Sequence, residues 1–261
     1  EKLFLICDFV KNYFKTQFNE SNFGRTIART YFDERGFDNE TLEKFDIGSL
    51  GSEKYNLRDH CLSSGYNIED LEVLGLVSAN TQMDIYRSRL IFPIKSISGR
   101  TIGFGARILD NNKKSAKYIN SPDSKIYNKS NVLFGLYNSK NEIVKKDNCL
   151  ISEGYTDVMR FHQIGINNIV SSSGTALTVN QINLIRRLTK NVTMLFDSDK
   201  AGVNATERAI EILLSQGMNI DICILPDGED PDSFGRNKTN DEINNYILEN
   251  SVDFIQFKSN M

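Results

Sequence analysis

The chain reads as an α/β protein, α+β once its first half is counted: a parallel sheet flanked by helices, preceded by a mixed helical and β-rich subdomain. Three observations predict this. Residues 149–152, 192–196 and 220–225 are short, largely apolar runs bounded by Gly, Pro or Asp, as strands buried on both faces are. Helical patterns separate them, such as Ala209, Ile210, Leu213 and Leu214 on one stripe after Gly202. Strand and helix in alternation imply parallel pairing through crossover connections. Before residue 85 the apolar spacing is helical instead.

In chain order, residues 1–84 form the helical part of the first subdomain. Apolar positions over 3–18 recur at steps of three and four, and Ser21 with Gly24 marks a break. A second helix carries Ile27, Ala28 and Tyr31 and ends at Arg35-Gly36, where Gly36 takes the left-handed position past the helix end. Short helices follow over 41–45 and 68–74. Residues 85–143 are the basic, β-rich part, with a hairpin of 90–94 and 101–104 about Ser98-Gly99-Arg100. Gly103 and Gly105 there permit close approach of another chain or a nucleic acid. Residues 111–115 are a polar loop. Residues 144–240 carry the parallel sheet, including a strand over 165–171 and a helix over 178–188. The small-residue turn Ser172 to Thr175 reads equally as an anion-binding turn and as a capped tight turn. Residues 241–261 form a closing pair of amphipathic helical segments.

Composition excludes some classes. No apolar run approaches the ~18 residues of a membrane helix. The four cysteines, at 7, 61, 149 and 223, lack paired zinc-ligand spacing and read as reduced core thiols of a cytoplasmic protein. The net charge of −3 announces no polyanion binder, yet residues 85–130 hold ten Lys or Arg against two Asp. That basic block suits a phosphate backbone, although about half of it reads as a solvated face.

The acidic residues carry the chemistry. Glu153, Asp197, Asp199, Asp230 and Asp232 all follow predicted strands, and open parallel sheets bind ligands at the carboxyl ends of their strands. Carboxylates brought together there repel unless cations neutralise them, and oxygen-only donors suit Mg²⁺ or Mn²⁺. The plainer reading of any one Asp-x-Asp is a solvated turn or a cap, with Asp199 capping the helix after Gly202. Three clusters on one sheet favour metal. His162, beside Phe161 and Ile164, reads as structural.

Glu153-Gly154-Tyr155-Thr156-Asp157-Val158 and Phe196-Asp197-Ser198-Asp199-Lys200-Ala201-Gly202 resemble the TOPRIM signature shared by primases and topoisomerases. Leu225-Pro226-Asp227-Gly228-Glu229-Asp230-Pro231-Asp232 resembles that of DnaG-type bacterial primases in particular. So do Arg89 to Ile94, Gly99 to Arg107 and Lys117-Tyr118-Ile119-Asn120-Ser121-Pro122, all in the family's order. Ser198 departs from the Gly that many members carry. No Cys/His zinc module precedes residue 1 and no helicase-interacting domain follows Met261, so the chain is expected to be a central domain.

The resemblance implies a primase catalytic core that makes RNA primers from NTPs on single-stranded DNA by two-metal phosphoryl transfer. It implies Asp197, Asp199, Asp230 and Asp232 as metal ligands, with Glu153 a further ligand or the proton acceptor. Asp157 either holds second-sphere contacts or completes the acidic ring. Arg107, Lys117 and Lys129 would position template or triphosphate, supported by Arg35 and Arg89, with Asn120 in the same motif. Tyr118 would stack on a base, or pack beside Ile119 in the core. Implied partners are template, NTPs, primer and, through regions outside this stretch, the replicative helicase and single-strand-binding protein, in the bacterial cytoplasm. A TOPRIM nuclease or topoisomerase and a DNA-binding scaffold with a decayed site are the rival readings.

Overall fold

In the computed structural model, which describes residues 1–109, 115–174, 176–196 and 209–259, the first apolar stripe forms the helix it predicts. Helix α1 (Lys2–Glu20) buries Ile6, Cys7, Val10, Phe14 and Phe18. The chain divides into two units, Glu1–Lys129 and Ser130–Met261. Among the described residues no helix is long and apolar enough to cross a membrane.

In the first unit, α1 covers an antiparallel sheet of order β1-β2-β3-β4, made of Gly48–Leu50, Arg89–Lys95, Thr101–Ile108 and Tyr118–Asn120. Phe14 meets Phe104 edge to face, centroids 5.3 Å apart, and Leu50, Ile91 and Ala106 complete that interface. Contact is so close at Gly48 that a Cβ would stand 2.5 Å from the Cβ of Phe14. The expected hairpin turns at Gly99, whose φ of +91° suits glycine.

Four details differ from expectation. The second helix opens as a π-turn, Gly24–Ala28, before α2 (Arg29–Asp33); Gly36 does take a positive φ of 69° beyond it. Strand β1 went unforeseen, being only three residues long and fully buried. So did α4 (Asn56–Ser63), which lies between α3 (Asn39–Lys44) and α5 (Ile68–Val73). Its cap is remote: the buried Asp84 carboxylate accepts from Leu57 N at 2.8 Å and Arg58 N at 3.0 Å. Gly103 admits no second molecule, because Tyr127 and Ser121 lie 3.1 and 3.2 Å from where its Cβ would be.

The second unit holds a five-stranded sheet of order β6-β5-β7-β8-β9. Strands β5 (Cys149–Ser152), β6 (Ile169–Ser171), β7 (Asn191–Phe196) and β8 (Asn219–Ile224) are parallel, and β9 (Ser251–Asp253) is antiparallel to β8. Cys149, Ile151, Val192, Met194, Ile220 and Ile222 share one face with Ile143, Ile182, Ile185 and Leu213. Strands β5 and β6 are buried on both faces as expected, but β8 alternates, with Asn219, Asp221 and Ile224 exposed. It borders the edge strand, where only one face is covered. The flanking helices include α6 (Leu136–Lys146), α7 (Tyr155–Gln163), α8 (Val179–Arg186), α9 (Pro231–Gly235), α10 (Asn240–Asn250) and α11 (Phe254–Ser259). The closing helical pair is thus present as α10 and α11, with β9 inserted between them.

All four cysteines are free and buried, and burial pushes the Cys7 and Cys61 thiols up to about 12. At neutral pH such thiols are protonated and poor nucleophiles.

Candidate functional site

The parallel register sets the carboxyl ends of β5, β7 and β8 along one edge of the second unit's sheet. Glu153 leaves β5 there with an exposed side chain, and its carbonyl accepts from the Ser171 hydroxyl at 2.7 Å. Helix α7 begins two residues later. Asp157, buried in its first turn, accepts from Gly154 N at 2.8 Å. Asp157 therefore holds the Glu153–Gly154 turn against the helix start, where a carboxylate also meets the favourable end of the helix dipole. Asp197 and Asp199 lie outside the described residues.

After β8, Asp230 is exposed and caps α9, accepting from Ser233 N at 2.7 Å through Oδ1. Its Oδ2 has no partner among the described residues. The Ser233 hydroxyl accepts from Asp230 N and donates to Glu229, so the turn is closed on both sides. Asp232 departs from expectation. It is only 4% exposed, and both its oxygens face guanidinium groups: Oδ1 meets Arg160 Nε at 3.1 Å and Oδ2 meets Arg236 Nη2 at 3.3 Å. The Asp232 carboxylate is therefore paired with two arginines inside the fold.

As a donor set for a hard divalent ion, Glu153 and Asp230 fit: both are exposed oxygen ligands at the correct end of the sheet. Asp157 and Asp232 are committed to a cap and to arginines. Among the described residues, no three His, Cys, Asp or Glu side chains stand close enough together to hold a metal.

The first unit carries the basic residues. Pairing of β3 with β4 sets Arg107 opposite Tyr118, and Arg107 Nη1 donates to the Tyr118 hydroxyl at 2.7 Å. The same guanidinium lies 4.8 Å over the ring of Tyr31, whose ring also carries Arg35 at 3.8 Å. Arg35 further donates to the Tyr31 carbonyl at 3.1 Å. Tyr118 is 36% exposed, so its ring lies outside the core. Lys117 is exposed, Asn120 and Lys129 are half-buried, and Asp123 fixes the Lys129 backbone at 2.9 Å.

Arg89 is not at the surface. It is 6% exposed and donates to the Ala116 carbonyl at 3.1 Å, and burial holds its guanidinium pKa below the usual arginine value. Lys95 pairs with Asp46, and Arg100 pairs with Glu1 while lying over Phe4. Sequence reading left Tyr31 among the apolar helix positions. Its signal was an aromatic four residues before an arginine, the spacing that puts both on one helical face.

Two further residues singled out by sequence have described partners. His162 is buried, and its Nε2 meets the Ser139 hydroxyl at 3.0 Å, a structural pairing. Helix α8 is capped by its own Thr178, which accepts from Gln181 N at 3.2 Å. Thr175 lies outside the described residues.

Comparison with known proteins accords with both units. Residues 13–140 match the family described as DNA primase catalytic core, N-terminal domain, and residues 150–235 match the Toprim-like family. A DNA primase of Clostridium acetobutylicum is 40% identical over 236 residues, which cover 89% of this chain and 39% of that protein. The crystal structure of a DNA primase domain from Pseudomonas aeruginosa is 31% identical with a TM-score of 0.90, covering 98% of this chain and 81% of its own. A DnaG primase catalytic domain bound to ssDNA is 32% identical with a TM-score of 0.86, covering 96% and 81%. The chain spans about two fifths of the length of the curated relatives it matches.

Proposed function

The chain belongs to the DnaG-type DNA primase catalytic-core family, and from that premise we propose that it joins ribonucleotides into short RNA primers on a single-stranded DNA template. The observation that supports this most is Glu153, an exposed carboxylate at the carboxyl edge of a parallel sheet, held in place by Ser171 and by the Asp157 cap. Glu153 and Asp230, with Asp197 and Asp199 outside the described residues, would hold Mg²⁺ or Mn²⁺. Bound there, a divalent ion lowers the pKa of an attacking hydroxyl and offsets charge on the transferring phosphoryl group.

The protein's own groups supply positioning. Arg35 and Arg107 present guanidiniums stacked on tyrosine rings, and their in-plane N–H groups match phosphate oxygens. Tyr118 offers a ring face to an unstacked base, and Lys117 adds an exposed charge for the backbone. Asp157 keeps Glu153 at the edge rather than touching substrate. Phosphoryl transfer needs little covalent work from the protein, so positioning and electrostatics account for most of the catalysis.

The test is labelled ribonucleotide incorporation on RNA-primed single-stranded DNA with Mg²⁺ or Mn²⁺, which bypasses initiation. Template-dependent extension that falls at least about a hundredfold in Glu153→Gln and Asp199→Ala supports the reading, the scale expected when charge stabilisation of the transition state is removed. DNA cleavage without nucleotide incorporation would overturn it in favour of a nuclease.

A further inference from the structure

Asp232 sits in an acidic motif but faces inward, and its partner is the largest fully buried side chain among the described residues. Arg160 is 1% exposed. It leaves α7 one turn after Asp157, and its Nε meets Asp232 Oδ1 at 3.1 Å on α9. Helix α9 comes close enough only because residue 235 is glycine: a Cβ there would stand 2.5 Å from Arg160 Cγ and 3.1 Å from Cδ. Both helices begin with a functional acid turn. Helix α7 starts at the Glu153–Asp157 turn, and α9 starts at its cap, Asp230.

We propose that Arg160 and Asp232 form a positioning pair that registers the Glu153 turn against the Asp230 turn, and that Asp232 acts through Arg160 rather than as a metal ligand. This rests on the reading of Glu153 and Asp230 as metal-holding residues. The physical case is one of competition. A carboxylate with both oxygens on guanidinium groups, inside the fold, would have to break two charge-assisted contacts to bind an ion, one of them to the buried Arg160. Removal of Asp232 takes from Arg160 a carboxylate 3.1 Å away inside the fold, and removal of Arg160 takes from Asp232 one of its two guanidiniums, so the two positions are expected to be energetically coupled.

The experiment is a double-mutant cycle with two readouts, thermal unfolding and Mn²⁺ binding followed by EPR, on wild type, Asp232→Asn, Arg160→Met and the Arg160→Met/Asp232→Leu double variant. Each single variant is expected to lower Tm by about 10 °C, as loss of one partner of a buried pair does in a domain this size. Each is also expected to weaken Mn²⁺ binding about tenfold, as supporting residues around a metal do, and by the same factor as the other. The double variant should be no worse than either single one. The proposal is overturned if Asp232→Asn loses Mn²⁺ while Arg160→Met binds it as well as or better than wild type, the pattern of a true ligand. Additive Tm losses would overturn it too. If a single variant does not fold, Arg160→Lys replaces it, keeping the cation without the fork; a Tm loss with unchanged Mn²⁺ affinity there would count against positioning. Glu153→Gln is the control for the underlying site: if it leaves Mn²⁺ binding intact, the metal reading has failed and not the pairing, which the Tm cycle judges independently.

Discussion

Arg160 and Arg107 are the same side chain in two different settlements. Arg160 is fully buried and matched by a carboxylate 3.1 Å away. Arg107 is half-buried and lies over two tyrosine rings, at 4.8 and 5.3 Å, with one donor on the Tyr118 hydroxyl. Carboxylate pairing uses the guanidinium's hydrogen-bonding edge, so that charge belongs to the fold. Ring stacking uses the flat face and leaves the in-plane N–H edge oriented along the ring surface, the geometry a phosphate oxygen would meet. The lesson is that a charged residue's role follows from what faces it. Four changes would break or sharpen this contrast.

The largest effect is expected on the buried side. Gly235→Ala places a methyl 2.5 Å from Arg160 Cγ, and α9 cannot retreat without opening the ion pair. A loss of about 2 kcal/mol in urea unfolding of the second unit is expected, typical of overpacking a close contact. An unchanged midpoint would show that the arginine stem yields freely and that the pair is looser than its burial implies.

On the stacked side, Tyr118→Ala removes the exposed ring and the hydroxyl that orients Arg107. Affinity for single-stranded DNA should fall about tenfold, the scale of one base-stacking contact, with unfolding nearly unchanged. Loss of stability without loss of affinity would move Tyr118 to the core. Arg107→Lys is subtler: it keeps the charge but gives up the planar stack on Tyr31. A few-fold weakening with the salt slope retained is expected, whereas Arg107→Ala should also reduce that slope by about one.

The same contrast explains how much was legible in the sequence. Strands β5, β7 and β8 and the hairpin could be read because apolar runs between turn residues encode them locally. Helix α4 could not, because its cap is Asp84, 27 residues from the amide it accepts from. Strand β9 is three largely polar residues at an edge, without a pattern to betray it. Glu153 and Asp230 stand where strand ends predict. Asp232 shares their motif, but its meaning depends on Arg160, 72 positions away, and no local pattern carries that. Arg89 misled for a similar reason, since the carbonyl that takes its guanidinium belongs to Ala116.

Between the two settlements lies a third, a charge faced by its like. Asp221 on β8 stands directly opposite Asp253 on β9, and burial first, then Asp253, raises the Asp221 carboxyl above the usual aspartate value. Like charges directly across an antiparallel pair destabilise it modestly. An acid whose pKa is raised by folding stabilises the protein below the unfolded aspartate value, near 3.9, and that contribution is lost as pH rises through the folded value. Asp253→Asn should therefore stabilise the second unit at neutral pH by about 0.5 kcal/mol, a figure set by exposed cross-strand pairs and reduced further by salt. The gain should shrink toward zero as pH falls to about 3, where Asp221 is protonated with or without its neighbour. Chemical unfolding of both proteins at pH 7 and pH 3 decides it. A gain that persisted at pH 3 would mean that Asp253 destabilises the strand pair through packing or solvation, and not through its charge.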